Sequence, residues 1–177
     1  SFSQMTWNQA CSFSGSASSY ISVPHSASLD ITGDFSIEAW VKPANNTGAQ
    51  IVLQKRAAAA NGYTLYLSSG KVTIRTNSVS RLIGKTVIPV NAWTHIAGSY
   101  DLSSGIFRVF VNGIQDTTIS IASAAPVTNS DSLLIGVGSN SPFNGVLDEV
   151  RIWNLPLTAN DVSQVMRLSL GTNSGYY

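Results

Sequence analysis

Two glutamates, Glu38 and Glu149, are the side chains of this 177-residue sequence that could act as acid and nucleophile on a glycosidic bond. That chemistry needs two carboxyl groups about 5 to 9 Å apart across the bond. The two glutamates belong to separate strand-like segments, and neither has an acidic residue two positions away, on the same face of its strand. We therefore predict no catalytic residues and assign both glutamates to structural hydrogen bonds and ion pairs.

Histidine and cysteine do not suggest nucleophilic catalysis either. His25 lies in a predicted turn, and His95 alternates with Trp93 in a predicted strand. A catalytic base needs its nucleophile within hydrogen-bond reach, and no serine-based elbow accompanies these residues. The single cysteine, Cys11, excludes an intrachain disulfide and matches no metal or redox spacing. We expect it to be a small apolar residue in a strand.

Aromatic, amide and guanidinium side chains are more promising, because they recur in the loops and in one predicted hairpin. Sugar recognition needs aromatic faces for the apolar sides of the rings, and amide or guanidinium groups for the hydroxyls. The predicted ligand-binding residues are Arg56, Asn61, Tyr63, Tyr66, Arg75, Asn140, Phe143 and Asn144. The alternative is that Tyr63 and Phe143 pack at strand ends, that Arg75 is solvated and that the asparagines form turns.

Composition disfavours several classes of protein. Charged residues make up 11% of the chain, against about 25% in typical domains. The net charge is +1, and the ten basic residues form no run or stripe in the sequence, which argues against nucleic-acid binding. No apolar stretch approaches the roughly 20 residues of a membrane-spanning helix. We expect one domain over residues 1–177, in a mature or excised form of a larger protein.

Short runs of alternating or β-branched apolar residues predict ten to twelve strands in an all-β, two-sheet antiparallel sandwich. Over residues 35–41 the odd-numbered positions form an apolar face. Two hairpins are predicted, one over residues 63–75 and one turning at Asn112-Gly113. The outward side chains of the first hairpin are Thr64, Tyr66, Thr73 and Arg75. The tryptophans, assigned to packing, are Trp7, Trp40, Trp93 and Trp153.

One short C-terminal helix is predicted. Thr158 is its expected cap, and Asp161 follows three residues later, near the positive end of the helix. Leu157 is expected to pack on Val162 before the first turn, and the apolar stripe of the helix should lie on the sandwich.

Five ordered segments then suggest a family: residues 20–24, 35–43, 93–97 with 100–101, 110–113 and 143–153. Together they resemble the bacterial laminin-G-like, pentraxin-related domains with a concanavalin A-like jelly roll. Such domains are commonly attached to secreted glycoside hydrolases, adhesins and surface proteins. The resemblance covers nearly the whole chain and implies the fold. It does not imply the function, because function depends on loops carried by such folds.

The resemblance also implies a bound calcium ion, although the sequence departs from the family pattern. Serines, Ser14 and Ser19, stand where relatives often place acidic residues. Calcium takes six to eight oxygen ligands, usually with carboxylates among them. A pentraxin-style paired-calcium site needs an acidic and amide cluster before the last strand, and residues 138–142 contain no acidic residue, so that site is not expected. The remaining option is one structural calcium ion, bound by Asp148, by either Asp30 or Asp34, and by backbone carbonyl groups. The alternative is that these three carboxylates only accept hydrogen bonds in turns and strands.

Two functions follow as expectations. The first is a non-catalytic, lectin-like carbohydrate-binding module of a secreted or cell-surface protein, with a glycan or polysaccharide as its partner. If the jelly roll is wound as in its relatives, the predicted ligand residues meet along one rim and the adjoining sheet. The second is an adhesion or structural domain that binds an extracellular protein through an exposed apolar patch. A glycoside hydrolase ranks below both.

Overall fold

Residues 10–56, 61–138 and 141–168 are described by this computed structural model, and they contain twelve strands and one α-helix. The strands are β1 (Cys11–Ser14), β2 (Ile21–Val23), β3 (Phe35–Pro43), β4 (Ala49–Arg56), β5 (Gly62–Ser68), β6 (Lys71–Thr76), β7 (Val79–Val87), β8 (Thr94–Asp101), β9 (Ile106–Val111), β10 (Ile114–Ser120), β11 (Leu133–Ile135) and β12 (Asn144–Trp153). The helix α1 spans Ala159–Val165.

The strands pair into two antiparallel sheets of six. The first sheet has the order β1-β12-β3-β8-β9-β10, and the second has the order β2-β11-β4-β5-β6-β7. This arrangement confirms the predicted β-sandwich with one short C-terminal helix. Within the described ranges, none of the helical segments has the length and apolar character needed to cross a bilayer.

The main core lies between the sheets, because alternation along each strand turns one face inward. Phe35, Ile37, Ala39 and Val41 are fully buried, which confirms the predicted apolar face of β3. The ring of Phe35 lies 5.8 Å from the ring of Tyr63 on the opposite sheet. Burying each large apolar side chain contributes about 1.5 to 3 kcal/mol to the free energy of unfolding.

Both predicted hairpins are present, and their turns explain why. Ser69 and Gly70 have φ angles of 48° and 76°, and Asn112 and Gly113 have φ angles of 51° and 78°. Two consecutive residues with positive φ form the tight turn whose twist matches antiparallel strands. Glycine at the second position of each turn adopts this conformation without strain.

The helix α1 begins with the predicted capping box. The Thr158 hydroxyl accepts from the Asp161 backbone N–H, and the Asp161 carboxylate accepts from the Thr158 backbone N–H at 2.8 Å. Donation to the carboxylate by the Thr158 backbone N–H and by the Thr158 hydroxyl holds the pKa of Asp161 below its ordinary value. Leu157 and Val162 pack with Phe110 on the outer face of the first sheet. The predicted docking of the helix on the sandwich is therefore confirmed.

A buried carboxylate joins this helix to the first sheet. Glu38 is fully buried, and its Oε1 accepts from Arg151 Nη1 at 3.0 Å and from Trp153 Nε1 at 3.2 Å. Its Oε2 lies 3.2 Å from His95 Nε2. Burial alone would raise the pKa of Glu38, but His95 and Arg151 outweigh that effect and hold the pKa below its ordinary value. The carboxylate is therefore ionised at neutral pH.

The Arg151 guanidinium extends the network to the end of the helix. It donates to the backbone oxygens of Val165, at 3.1 Å, and Leu168, and it pairs with Glu149 at 2.6 Å. One guanidinium thus satisfies two carboxylates and two carbonyl groups. The prediction that Glu38 and Glu149 serve structural bonds is confirmed.

The open side of the sandwich, where the edge strands β7 and β10 face each other, is closed by a carboxylate. Asp116 of β10 accepts from the backbone N–H of Lys85, at 2.5 Å, and of Thr86, and from the Thr86 hydroxyl at 2.5 Å. Desolvation opposes ionisation here, but these donors and the charge of Lys85 hold the pKa of Asp116 below its ordinary value.

Two expectations about packing need correction. Cys11 does lie in a strand, but its side chain is exposed, because β1 is the edge strand of the first sheet. Trp93 is 42% exposed, because it precedes β8 at the rim of the sheet. Trp40 and Trp153 are half-buried as packing residues, and Trp7 lies outside the described residues.

Replacing Arg151 with alanine is expected to lower the free energy of unfolding by about 3 to 5 kcal/mol, because the substitution leaves Glu38 as an unpaired buried charge. Urea denaturation measures the change. Arg108→Ala removes the same group from a half-exposed position of the first sheet and is expected to cost less than about 0.5 kcal/mol. Equal losses in the two variants would contradict the structural role of the Arg151 network.

Acidification is expected to weaken this network. Because the folded-state pKa of Glu38 is lowered, its contribution to stability is complete above the ordinary glutamate pKa and is lost as the pH falls through the folded value. Below about pH 5, the free energy of unfolding should therefore fall more steeply in the wild type than in Glu38→Gln. Parallel pH profiles would show that Glu38 is not the titrating group.

Candidate functional site

The candidate site lies on the outer surface of the second sheet, which we call the Arg75 face. It comprises polar outward side chains of β4–β7, namely Gln54, Arg56, Thr64, Tyr66, Lys71, Thr73, Arg75 and Ser80. These residues alternate with the core residues Tyr63, Leu65, Leu67, Val72 and Ile74. The predicted outward direction of the first hairpin is therefore confirmed. Thr64, Tyr66 and Thr73 are nevertheless buried rather than exposed.

Tyr66 and Arg75 form the most ordered part of this face. The Arg75 guanidinium lies 4.6 Å from the centre of the Tyr66 ring, and its Nη2 donates to the Tyr66 hydroxyl at 3.1 Å. The same hydroxyl lies 2.8 Å from the Ser80 hydroxyl. Cation–π contact and hydrogen bonding together restrict the guanidinium to one orientation. Arg75 is a preorganised, half-exposed donor group.

A row of polar side chains crosses four strands beside this pair. Gln54 lies opposite Thr64, Thr64 opposite Arg75, and Arg75 opposite Ser80. Neighbouring strands are about 4.8 Å apart, so the row is about 14 Å long. Three of its buried polar atoms, Gln54 Oε1, Thr64 Oγ1 and Arg75 Nε, have no hydrogen-bond partner. Buried polar groups are nearly always paired in folded proteins, so the row has unused capacity for a polar ligand or ordered water.

The other predicted residues of the second sheet lie at one end of this row. Arg56 is half-buried and donates from Nε to the Ser78 hydroxyl at 2.9 Å. The backbone oxygen of Asn61 accepts from Asn129 Nδ2 at 3.2 Å. Arg56 stands two positions after Gln54 on the same face of β4. The period-two pattern could therefore have identified Gln54 from the sequence, but our prediction missed it.

Two aromatic residues expected at the ligand surface lie in the core instead. Tyr63 is 2% exposed and donates its hydroxyl to the Leu29 backbone oxygen at 3.1 Å. Burial raises the pKa of that phenol. Phe143 is fully buried, with its ring 6.3 Å from Phe13. Strand alternation in β5 turns the Tyr63 ring inward, and Phe143, which directly precedes β12, packs in the same core cluster as Phe13. The packing alternative is correct for these two residues.

Asn144, a predicted ligand residue, does not join the Arg75 face. Asn144 is the first residue of β12, in the first sheet, and its backbone N–H donates to Gln50 Oε1 at 3.0 Å. Its side chain lies against Gly15, so close that a Cβ there would be 3.0 Å from Asn144 Cβ. Asn140 lies outside the described residues.

The three carboxylates predicted to bind calcium do not come together. Asp34 precedes Phe35 at the start of β3, whereas Asp148 lies opposite Trp40, near the other end of that strand. At about 3.3 Å per residue the two positions are about 20 Å apart. Asp34 accepts from the Leu102 N–H, and Asp148 accepts from the Glu149 N–H. Within the described ranges, no three acidic, histidine or cysteine side chains cluster as metal ligands.

Asp30, the remaining predicted ligand, faces an ammonium group. Lys55 is 1% exposed, and its Nζ lies 3.5 Å from Asp30 Oδ1. The same Nζ donates to the backbone oxygens of Asn129, at 2.7 Å, and Asp131, at 3.2 Å, and lies 3.4 Å from His25 Nδ1. Lys55 therefore supplies the positive charge among these oxygens. The residues present do not fit a shared calcium site, and calcium binding elsewhere stays a prediction.

A second surface was missed by the sequence analysis. A cleft of about 360 Å³ lies on the first sheet beside the end of the helix, and the exposed ring of Trp93 forms part of its wall. Its other lining residues are Trp40, Asp148, Glu149, Met166, Arg167 and Leu168. The sequence shows the tryptophan and acidic residues of this cleft, but it does not show that β3, β12 and the end of the helix meet there.

The comparison with protein families matches residues 14–163 to the model Laminin_G_3, the concanavalin A-like lectin/glucanases superfamily. Human pentraxin-related protein PTX3 is 25% identical over 145 residues, which cover 73% of this chain and 38% of that protein. The mouse protein is 26% identical over 143 residues, covering 72% and 37%. The chain thus spans less than two-fifths of the length of these curated relatives.

Solved structures share the fold at low sequence identity. A putative carbohydrate-binding protein from Bacteroides ovatus superposes with a TM-score of 0.72 at 19% identity, covering 95% of this chain and 50% of that one. The CBM40 of Ruminococcus gnavus IT-sialidase, bound to α2,3-sialyllactose, has a TM-score of 0.72 at 14% identity and covers 89% and 96%. A heptameric SAP-like pentraxin from Limulus polyphemus has a TM-score of 0.68 at 16% identity and covers 87% and 79%.

Lys55→Met is expected to lower the free energy of unfolding by about 2 to 4 kcal/mol. It keeps most of the side-chain volume but leaves the Asp30 carboxylate and two backbone oxygens without their shared donor. Lys42→Met, at a half-exposed position of β3, is the matched control and should change stability by less than about 0.5 kcal/mol. Thermal and urea denaturation report both values, and equal stability of the two variants would contradict a structural role for the Lys55 ammonium.

Proposed function

Because this chain belongs to the concanavalin A-like lectin/glucanase superfamily, we propose that it is a non-catalytic, lectin-like carbohydrate-binding module whose ligand lies on the Arg75 face. The observation that carries the proposal is the row of unpaired polar atoms beside the ordered Tyr66–Arg75 pair. Sugars present many hydroxyl groups, and amide, hydroxyl and guanidinium groups are suitable partners for them.

The structural relatives support the same class of ligand. One is described as a putative carbohydrate-binding protein, and another is a carbohydrate-binding module bound to a sialylated sugar. Both share the fold of this chain. Because fold alone does not determine function, the side chains of the Arg75 face are the main support for a sugar ligand.

The placement of the glutamates supports a non-catalytic role. Glu38 is fully buried, so its carboxylate is not available to a substrate. Glu149 shares the Arg151 guanidinium with it, at 2.6 Å. A hydrolase needs one protonated and one ionised carboxyl group on either side of a sugar. Two carboxylates held by a single cation inside the protein are suited to structure rather than to acid catalysis.

A glycan ligand implies a secreted or cell-surface location, where polysaccharides and glycoproteins are displayed. A single module with a shallow polar face binds weakly, and attachment to an enzyme or to further modules raises the effective affinity. We therefore propose that the chain tethers a larger protein to a glycan.

Protein binding is the alternative function, and one observation favours it. The edge strand β7 exposes Val79, Ile83 and Val87, which are 49%, 50% and 53% exposed. Exposed apolar side chains on an edge strand are typical of protein contacts. Asp116 already occupies the N–H groups of Lys85 and Thr86, so a partner would bind this edge through side chains rather than by adding a strand.

A glycan array probed with the purified chain is expected to show binding to a defined sugar. Tyr66→Phe should weaken that binding about two- to tenfold, because it removes the hydroxyl that links Arg75 to Ser80 and costs about one neutral hydrogen bond. Trp93→Ala alters the cleft on the other sheet and should leave the affinity within twofold. Loss of binding in Trp93→Ala but not in Tyr66→Phe would move the ligand to the Trp93 cleft.

Running the array with calcium and again with chelator tests the calcium prediction, since loss of binding on chelation would support a metal. Silence across the array in both conditions would contradict the carbohydrate proposal. Capture of a defined extracellular protein by the wild type, abolished in Ile83→Asp, would then favour the alternative function.

A further inference from the structure

The small net charge of the chain conceals an uneven distribution between its two sheets. The six strands of the second sheet contain six of the ten basic residues and no acidic residue. The strands of the first sheet contain five acidic residues and three basic ones. The basic residues form no stripe in the sequence because they are brought together only by strand pairing.

Not all six cations are available to a ligand. Lys55 is buried beside Asp30, and Arg81 donates to the Thr76 hydroxyl at 2.7 Å. Lys85 lies beside Asp116 and lowers the pKa of that carboxyl group. Arg56 donates from Nε to the Ser78 hydroxyl at 2.9 Å. Lys71 and Arg75 remain, because they lie opposite Ser68 and Thr64 on the outer side of β5, and both are half-exposed.

Arg75 is the cation with the clearest geometry for an anion. Among the described residues, the ion pairs of the molecule involve His25, Lys55, His95 and Arg151, and Arg75 has no carboxylate partner. Its guanidinium is held against the Tyr66 ring at 4.6 Å, and Nε has no acceptor. A planar guanidinium with free N–H groups binds carboxylate or sulfate oxygens through two parallel hydrogen bonds.

The neighbours of Arg75 are suited to the rest of a sugar rather than to a bare anion. Thr64, directly opposite Arg75, is fully buried and keeps an unpaired hydroxyl. Gln54, one strand further, is 5% exposed and keeps an unpaired carbonyl oxygen, which can accept only from a donor such as a sugar hydroxyl. A ligand that matches this row has an acidic group at Arg75 and hydroxyl groups towards Gln54.

We propose that the Arg75 face binds an acidic saccharide, one that carries a carboxylate or sulfate group, and that Arg75 contacts the anion. This inference rests on the carbohydrate-binding function proposed above and specifies its ligand. The cleft beside Trp93 is less suited to an anion, because it contains Asp148 and Glu149 as well as Arg167 and has no excess of positive charge.

Isothermal titration of the full chain with three matched probes tests the proposal. The probes are lactose, sialyllactose as the carboxylated form and a sulfated lactose as the sulfated form. At least one acidic probe is expected to bind ten times or more tightly than lactose, because hydrogen bonds between charged groups are about twice as strong as neutral ones. Which of the two binds identifies the acidic group.

Arg75→Gln is expected to weaken binding of the acidic probe about 10- to 100-fold and to leave lactose binding within threefold. Arg108→Gln removes the same charge from the first sheet and should change neither affinity by more than twofold. Raising the salt concentration from 50 to 500 mM should weaken binding of the acidic probe in the wild type and not in Arg75→Gln. Melting temperatures of both variants control for folding.

Three results would overturn the inference in distinguishable ways. Equal binding of lactose and both acidic probes, weakened equally in Arg75→Gln, would leave a carbohydrate-binding face without acid selectivity. Equal affinity for an acidic sugar and for a single-stranded oligonucleotide would show general polyanion binding. Absence of binding to every sugar, with a folded protein, would remove the carbohydrate proposal itself.

Discussion

The buried ion pair of Glu38 and Arg151 makes the two sheets of this molecule unequal. The carboxylate is fully buried in β3, and the guanidinium reaches from β12 to the backbone oxygens at the end of the helix. Two charges in the interior are tolerated only when their hydrogen bonds are satisfied. Here Arg151 binds Glu38 and the backbone oxygens at the end of the helix, which places that end against the first sheet, so the helix covers that sheet and not the second.

The charges of the chain follow the same division. The strands of the sheet beneath the helix contain five acidic residues. The strands of the other sheet contain six basic residues and no acidic one. At physiological salt, interactions between exposed charges extend over about 8 Å. A small anionic group near Arg75 therefore experiences the cations of its own sheet and little of the carboxylates across the sandwich. Net charge, which sums over both sheets, is a poor guide to such a surface.

Local pattern predicted the fold well because local physical rules produce it. Alternation identified the inner face of β3, glycine and asparagine identified both tight turns, and Thr158 with Asp161 identified the start of the helix. The same rule placed Tyr66 and Arg75 together on the outer face. These features depend on residues close together in the chain, or directly opposite each other in a hairpin.

Prediction was poorer where distant segments meet. Tyr63 and Phe143 were grouped with polar loop residues because they are near them in sequence, although both rings are buried in the core. Asp34 and Asp148 are acidic residues at opposite ends of one strand pair. The partner of Asp30 is Lys55, 25 positions further along the chain, and no spacing rule links them. Unpaired atoms such as Thr64 Oγ1 are also invisible in a sequence, since they are defined by what surrounds them.

Asp116 has a consequence for how copies of this domain behave when they are crowded together. Edge strands with free N–H groups tend to pair with the edges of neighbouring molecules, which leads to aggregation. Asp116 binds the N–H groups of Lys85 and Thr86 on the edge strand β7 from within the same molecule. Part of that edge is thereby withheld from other copies. The domain is suited to repetition along one polypeptide, or to dense display on a surface, without its sheets merging into a continuous one.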